Sequence, residues 1–303
     1  MVSTTYVFGR NYRASVRLNY QHALIANLTD HQSFHPSIRR HITSSTSFRV
    51  ADLASGTALW ASEVAREFPR FQVDAFDISS EQYPPPSWIP QNLFLHERDI
   101  LLPFPEEYHG MYDVVNVRFF ITLLDKENLS FFLANVDALL KPGGFLQWLD
   151  LDPRSAKAIA YLQGQISNTT TTDHPNPQTR AVAQLMRKTP PDVESWLTDH
   201  PHDIFQPFNF EQVTCDKLSL PEIYRPLWNQ CLLLGLEEYC SKLEEDAGIA
   251  AASSGTTHTT TTSPKTSASH AMRDTLNGLS LEFSAGASID VYWFYQISRK
   301  ILS

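Results

Sequence analysis

The sequence predicts an α/β fold, a parallel sheet with helices on both of its faces. Three observations carry that prediction. Five short apolar runs alternate with amphipathic stretches between residues 49 and 150, a glycine-bearing turn joins the first run to a helical stretch, and an acidic residue closes the next run. Strand–helix–strand alternation of this kind is the pattern of a parallel sheet wound on both sides.

The elements follow in chain order. Asn11 to Leu28 reads as a helix, with Tyr12, Val16, Tyr20 and Leu24 recurring every four residues as one buried stripe and Arg13, Arg17 and Gln21 beside it. DHQSFHPS then reads as a turn, punctuated by Pro36. The strands are RVADLA (49–54), FQVDAF (71–76), LFLHE (93–97), YDVVNV (112–117) and FLQWLD (145–150). YDVVNV is β-branched and almost continuous, as a central strand buried on both faces should be. TALWASEVAREF (57–68) and KENLSFFLANVDALL (126–140) have helical period. Beyond them, AKAIAYLQGQI and 178–187 read as helices, 210–219 as a strand, 224–243 as a helix and DVYWFYQIS (290–298) as a last strand. The Thr/Ser-rich stretch 251–269 lacks a packing pattern and reads as a flexible insertion.

Composition narrows the function. The chain has 303 residues, 42% hydrophobic and 19% charged, an ordinary globular balance. With 24 basic and 33 acidic residues its net charge is −9 and its pI about 5.6. A general polyanion binder needs a basic surface, so nucleic acid is not expected as a partner. No apolar leader and no run of the ~20 apolar residues that cross a bilayer are visible, so the expected location is cytoplasmic. Cys215, Cys231 and Cys240 lack metal-ligand or paired spacing and read as buried thiols. His31, His35 and His41 lack helical ligand spacing and read as part of a polar loop, so no metal is expected.

The chemistry concentrates in Asp52-Leu-Ala-Ser-Gly-Thr-Ala58, which follows a strand and opens a helix. A tight turn there exposes backbone N–H groups at a helix start and lets a cofactor approach the main chain. Asp77 ends the next strand 21 residues after Gly56, where a carboxylate can accept both hydroxyls of a ribose. Asp99 follows the third strand, and the turn KPGG (141–144) precedes the fifth.

This order resembles the class I methyltransferases that use S-adenosylmethionine (SAM), over about residues 49–150. With RASVRLNYQH (13–22), HPSI (35–38), RVADLASGTALW (49–60), DAFDIS (74–79) and LLKPGGFLQW (139–148), the chain is similar to fungal secondary-metabolite methyltransferases of the gliotoxin N-methyltransferase type. The resemblance implies a Rossmann-like seven-strand sheet with an antiparallel final strand, an N-terminal helical cap (1–48), a SAM-binding core (49–150), and lid helices with C-terminal strands in 151–303. It also implies methyl transfer to N or O of a small natural product. Ala54, Ser55 and Gly56 would run beside the methionine part, Asp77 would hold the ribose, and Asp99 with Ile100 the adenine; Asp52, Ile78 and Asn116 join that cofactor set. One departure is plain: glycine is usual where this chain has Ala54 and Ala58, and an alanine methyl restricts positive φ.

The substrate side is open to two readings at each residue. Arg118, just after the fourth strand, either orients an anionic or carbonyl oxygen or forms an ordinary salt bridge. His22 is either a general base or a partly buried histidine with a structural hydrogen bond. Arg17 either covers the cofactor or lies on a solvated helix face. Trp148 and Asp150, at the end of the fifth strand, are placed to line the pocket, with the core as the other reading of Trp148. Two further functions fit the same fold: a pericyclase or cyclase that transfers no methyl, suggested by the missing glycines, and a non-enzymatic regulator.

Overall fold

The computed structural model describes residues 9–43, 46–124, 126–162, 165–167, 176–188, 205–253 and 264–301. In chain order the elements are α1 (Tyr12–Leu28), α2 (Pro36–Arg39), β1 (Arg49–Leu53), α3 (Leu59–Glu67), β2 (Gln72–Asp77), β3 (Leu93–Glu97), β4 (Tyr112–Arg118), α4 (Lys126–Leu139) and β5 (Leu140–Leu162). They are followed by β6 (Gln165–Ser167), α5 (Pro177–Lys188), β7 (Phe210–Ser219), α6 (Arg225–Ser253), α7 (Pro264–Ser284) and β8 (Ala287–Lys300).

The sheet runs β3-β2-β1-β4-β5-β8-β7, with β6 paired to β5. The pairs β2–β3, β1–β2, β1–β4 and β4–β5 are parallel, and β8 runs antiparallel to β7. This is the Rossmann-like mixed sheet expected, with the short β6 as an addition. Strand order reverses between β1 and β4, and in such sheets the crevice lies at the carboxyl ends of those two strands.

The chain divides into two compact units, each discontinuous in sequence. One comprises Met1–Gln21, Ala156–Met186 and Pro221–Asp290; the other comprises His22–Ser155, Arg187–Leu220 and Val291–Ser303. In the larger unit, alternation along the strands assigns each residue a face. Leu53 of β1, Val115 and Val117 of β4, and Leu146 and Trp148 of β5 pack with Phe132, Leu133 and Val136 of α4 in one apolar core. The residues between them, Asp52, Asn116, Arg118, Gln147 and Leu149, point to the opposite face, where the polar chemistry collects. In the smaller unit, Ala156, Val182, Ala183, Leu279 and Ile289 form a separate cluster. Glu282 of α7 caps α5 there, accepting from Gln178 N at 2.9 Å, Thr179 N at 2.7 Å and Thr179 Oγ1 at 2.7 Å.

Two expectations are corrected. The buried stripe of α1 is not the period-four one: Tyr12 and Val16 are 74% and 55% exposed, while Ala14, Arg17, Leu24 and Ile25 are buried. A strict repeat of four precesses by ~40° per step around a helix of 3.6 residues per turn and leaves the buried face. AKAIAYL is not helical; it extends β5, because β6 supplies long-range partners through Ala160↔Ser167, Tyr161↔Ile166 and Leu162↔Gln165. Tertiary pairing overrides the modest helix preference of its alanines. Within 251–269, read as a flexible insertion, α6 continues to Ser253 and α7 starts at Pro264; 254–263 lie outside the described residues. Among the described residues no helix is long and apolar enough to cross a membrane.

Candidate functional site

The turn after β1 is built on left-handed backbone. Ala54, Gly56 and Ala58 have φ of 54°, 56° and 53°. Both positions flagged as glycine replacements thus carry the conformation that glycine adopts freely and alanine resists. The turn is held by Ser55 N donating to Phe76 O at 3.0 Å and Ala58 N donating to Ser55 O at 2.9 Å. Gly56 N donates to Asp77 Oδ2 at 2.7 Å, and Ser79 N to Asp77 Oδ1 at 3.3 Å. The predicted loop and the predicted acid therefore meet directly. Ile78, the next residue, leaves half its surface in solvent, an apolar platform beside the carboxylate. Tyr83, missed by the sequence reading, closes this corner: its hydroxyl lies 3.2 Å from Ser55 Oγ and donates to the carbonyls of Ala75 and His96. Burial pushes that phenol well above its ordinary pKa.

Asp99 accepts from Leu101 N at 2.9 Å and shapes the turn after β3. Ile100 follows it. Its side chain is buried in the core with Phe76 and Phe104, and its carbonyl is occupied by Asn135 Nδ2 at 2.8 Å.

Asp52 and Asn116 form a buried row beneath this edge. Asn116 Nδ2 donates to Asp52 Oδ1 at 2.8 Å, Gln147 Nε2 to Asn116 Oδ1 at 2.9 Å and His35 N to Gln147 Oε1 at 2.9 Å. Asp52 Oδ2 has no partner among the described residues. Burial raises the Asp52 carboxyl to about 6, against the opposing pull of Arg118 and Asn116.

The same face holds a cavity of ≈ 400 Å³, walled by His22, Trp60, Glu63, Asn116, Arg118, Gln147 and Tyr295 among others. His22 and Arg118, the two candidates for substrate handling, come together here. Arg118 Nη1 lies 3.1 Å from His22 Nδ1, and His22 Nε2 lies 3.0 Å from Glu63 Oε2. A guanidinium only donates, so Nδ1 accepts and Nε2 carries the hydrogen given to Glu63. In this arrangement both ring nitrogens of His22 are engaged, Nδ1 by Arg118 and Nε2 by Glu63. Trp60 and Glu63 were not picked from the sequence; their i, i+3 spacing on α3 is the signal that could have paired them.

Other candidates lie elsewhere. Arg17 is buried, not solvated, and forks onto Glu238 at 2.8 and 3.2 Å. Trp148 is core. Asp150 is also buried and takes the backbone N–H groups of Phe120 at 2.6 Å and Ile121 at 2.8 Å, the Trp148 indole at 3.2 Å and Leu151 N at 3.0 Å. It thereby anchors the chain after Phe119, itself at φ 53°. Cys231 and Cys240 are buried free thiols, whereas Cys215 is only partly covered. His35 caps α2, accepting from Ser37 N, and reaches Asp216 Oδ2 at 3.0 Å.

No family model matches the chain. Among curated proteins, it is 32% identical over 148 residues to methyltransferase grgD of a Penicillium species, covering 46% of this chain and 50% of that protein. It is 32% identical over 152 residues to N-methyltransferase tcpN of Claviceps purpurea, covering 50% and 52%. The relatives it resembles are fungal methyltransferases. N-methyltransferase verN of Clonostachys rogersoniana matches at 28% over 148 residues, and the chain spans about half the length of each of these relatives. Similar solved structures include phosphoethanolamine N-methyltransferase 2 of Haemonchus contortus, with phosphomonomethylethanolamine and S-adenosylhomocysteine, at 13% identity and TM-score 0.48 over 99% of this chain and 61% of that one. A SAM-dependent methyltransferase of Mesorhizobium loti gives 12% identity and TM-score 0.47 over 89% and 99%.

Proposed function

We propose that this protein transfers a methyl group from SAM to a nitrogen or oxygen of a small natural product. The observation that carries the proposal is the Gly56–Asp77 contact: a left-handed loop and a carboxylate joined at 2.7 Å, at the strand ends where the sheet order reverses. The names of the fungal relatives support the same reaction. The net charge of −9 favours a small molecule over nucleic acid, and the reading places the protein in the cytoplasm.

The residues present fit the cofactor. The backbone of Ala54, Ser55 and Gly56 would lie along its amino-acid part, Asp77 would take the ribose hydroxyls, and Asp99 with the backbone of Ile100 would face the adenine over Ile78. Asp52 and Asn116 underlie the loop. When bound, SAM supplies an electrophilic methyl on a sulfonium. The chain's own task is to hold the acceptor in line with it, and positioning alone is worth up to ~7–11 kcal/mol in well-aligned reactions. Arg118 would orient the acceptor, with His22 fixing the guanidinium.

Isothermal titration with SAM tests the reading, with Asp77→Ala beside the wild type. Binding by the wild type that the variant loses, followed by products heavier by one methyl, supports methyl transfer. Absence of binding by the wild type overturns it. Turnover at unchanged mass identifies a cyclase instead, and partner binding without turnover a regulator.

A further inference from the structure

We propose that the cavity beside Arg118 binds a carboxylate, with this guanidinium as its counter-ion. Arg118 makes one hydrogen bond among the described residues, from Nη1 to His22. No carboxylate there lies within the 4.0 Å of an ion pair. Its Nε is enclosed without an acceptor. An arginine presents five donors in a fixed planar fork, and a buried one left short of acceptors is costly.

The neighbouring acids do not fill that need. Asp52 and Glu63 act on Arg118 only through space; Asp52 accepts from Asn116 and Glu63 from His22. Glu67, also on the cavity wall, accepts from Ser33 Oγ at 2.9 Å. The wall amides are committed as well, since Asn116 and Gln147 bond to each other and to Asp52, Ser33 and His35. Arg66 is exposed. Among the described residues Arg118 is therefore a buried wall cation with most of its donors unmet, and a planar two-oxygen anion matches its fork. The ring of Trp60 lies 5.7 Å from the guanidinium carbon, and the buried Tyr295 adds a second aromatic wall. A flat ring carrying a carboxylate suits this space.

The inference deepens the acceptor-orienting role proposed for Arg118, and one arm of its test is independent of the cofactor. Phenylacetate and phenylacetamide have nearly the same shape and differ in charge. Each is titrated into the unchanged protein and into Arg118→Leu and Arg118→Lys, with binding followed by ligand-observed NMR. The expected result is that phenylacetate binds at least about tenfold tighter than the amide, that Arg118→Leu abolishes the difference, and that Arg118→Lys keeps part of it. A second arm compares SAM with methylthioadenosine, which lacks the amino-acid end. Loss of SAM affinity in Arg118→Leu with methylthioadenosine unaffected places the carboxylate on the cofactor; the acid–amide difference places it on the acceptor. Equal or absent binding of acid and amide by the unchanged protein, together with SAM binding indifferent to Arg118, overturns the proposal.

Discussion

Arg118 Nη1 donates to His22 Nδ1 at 3.1 Å, which leaves His22 Nε2–H directed at Glu63 Oε2 at 3.0 Å. Three side chains from α1, α3 and β4 are thus ordered into one polar chain whose proton positions follow from the guanidinium end. His22 is nearly buried, whereas the Glu63 side chain is 51% exposed.

The two ends of that chain should differ in weight. His22→Ala removes the acceptor that Arg118 bonds among the described residues and should cost about 1–3 kcal/mol. Glu63→Ala removes a half-exposed partner and should cost about 1 kcal/mol or less. Urea denaturation of both variants checks this. Equal losses would mean that the imidazole is not what holds the guanidinium.

Asp150 sets a pH dependence. Burial raises its carboxyl to about 6, although four N–H groups oppose the shift, and burial raises Asp52 similarly. The native state then keeps protons that the unfolded chain has released between 3.8 and about 6. Stability should therefore fall as pH rises through that window and level off above it. Glu63, Asp74 and Asp216 are shifted downward, so their contribution is lost only at lower pH. Denaturation midpoints at pH 5 and 7 read the effect. Asp150→Asn, which gives up one accepted bond, should cost about 1–3 kcal/mol at pH 7 and flatten the slope; an unchanged slope would remove Asp150 from this role.

The two left-handed alanines should respond differently to glycine. Relief of the left-handed strain is worth about 1–2 kcal/mol, and the added freedom of the unfolded chain returns about 0.4–1. Ala54 is partly buried, so Ala54→Gly should be net stabilising by about 0.5 kcal/mol. Ala58 is fully buried, and losing its methyl costs about 0.8 kcal/mol more, so Ala58→Gly should be close to neutral. Thermal unfolding distinguishes them, and a larger gain at 58 than at 54 would contradict the argument.

Glu282 should prove structural. It satisfies two backbone donors and a hydroxyl at the start of α5, so Glu282→Ala leaves the first turn of that helix uncapped. A loss of about 1–3 kcal/mol is expected, with Glu282→Gln intermediate. Amide exchange should show it first in α5, and protection unchanged there would refute the cap.

The sequence by itself determined the sheet and the turn after β1 with its facing acid. Strand identity came from apolar runs, and the Gly56–Asp77 meeting came from spacing, because one tight turn and two adjacent parallel strands leave little choice of geometry. Its neighbours in sequence inherited their places from that turn. Tertiary structure decided the rest. Whether His22 is a base or a hydrogen-bonded bridge depended on Arg118, 96 residues away, and on Glu63 of another helix. Arg17 found Glu238 across 221 residues, and AKAIAYL became strand when β6 offered it partners. Local periodicity records which residues share a face. It holds no record of which distant group completes a hydrogen bond, and in a buried site that partner fixes protonation, orientation and role.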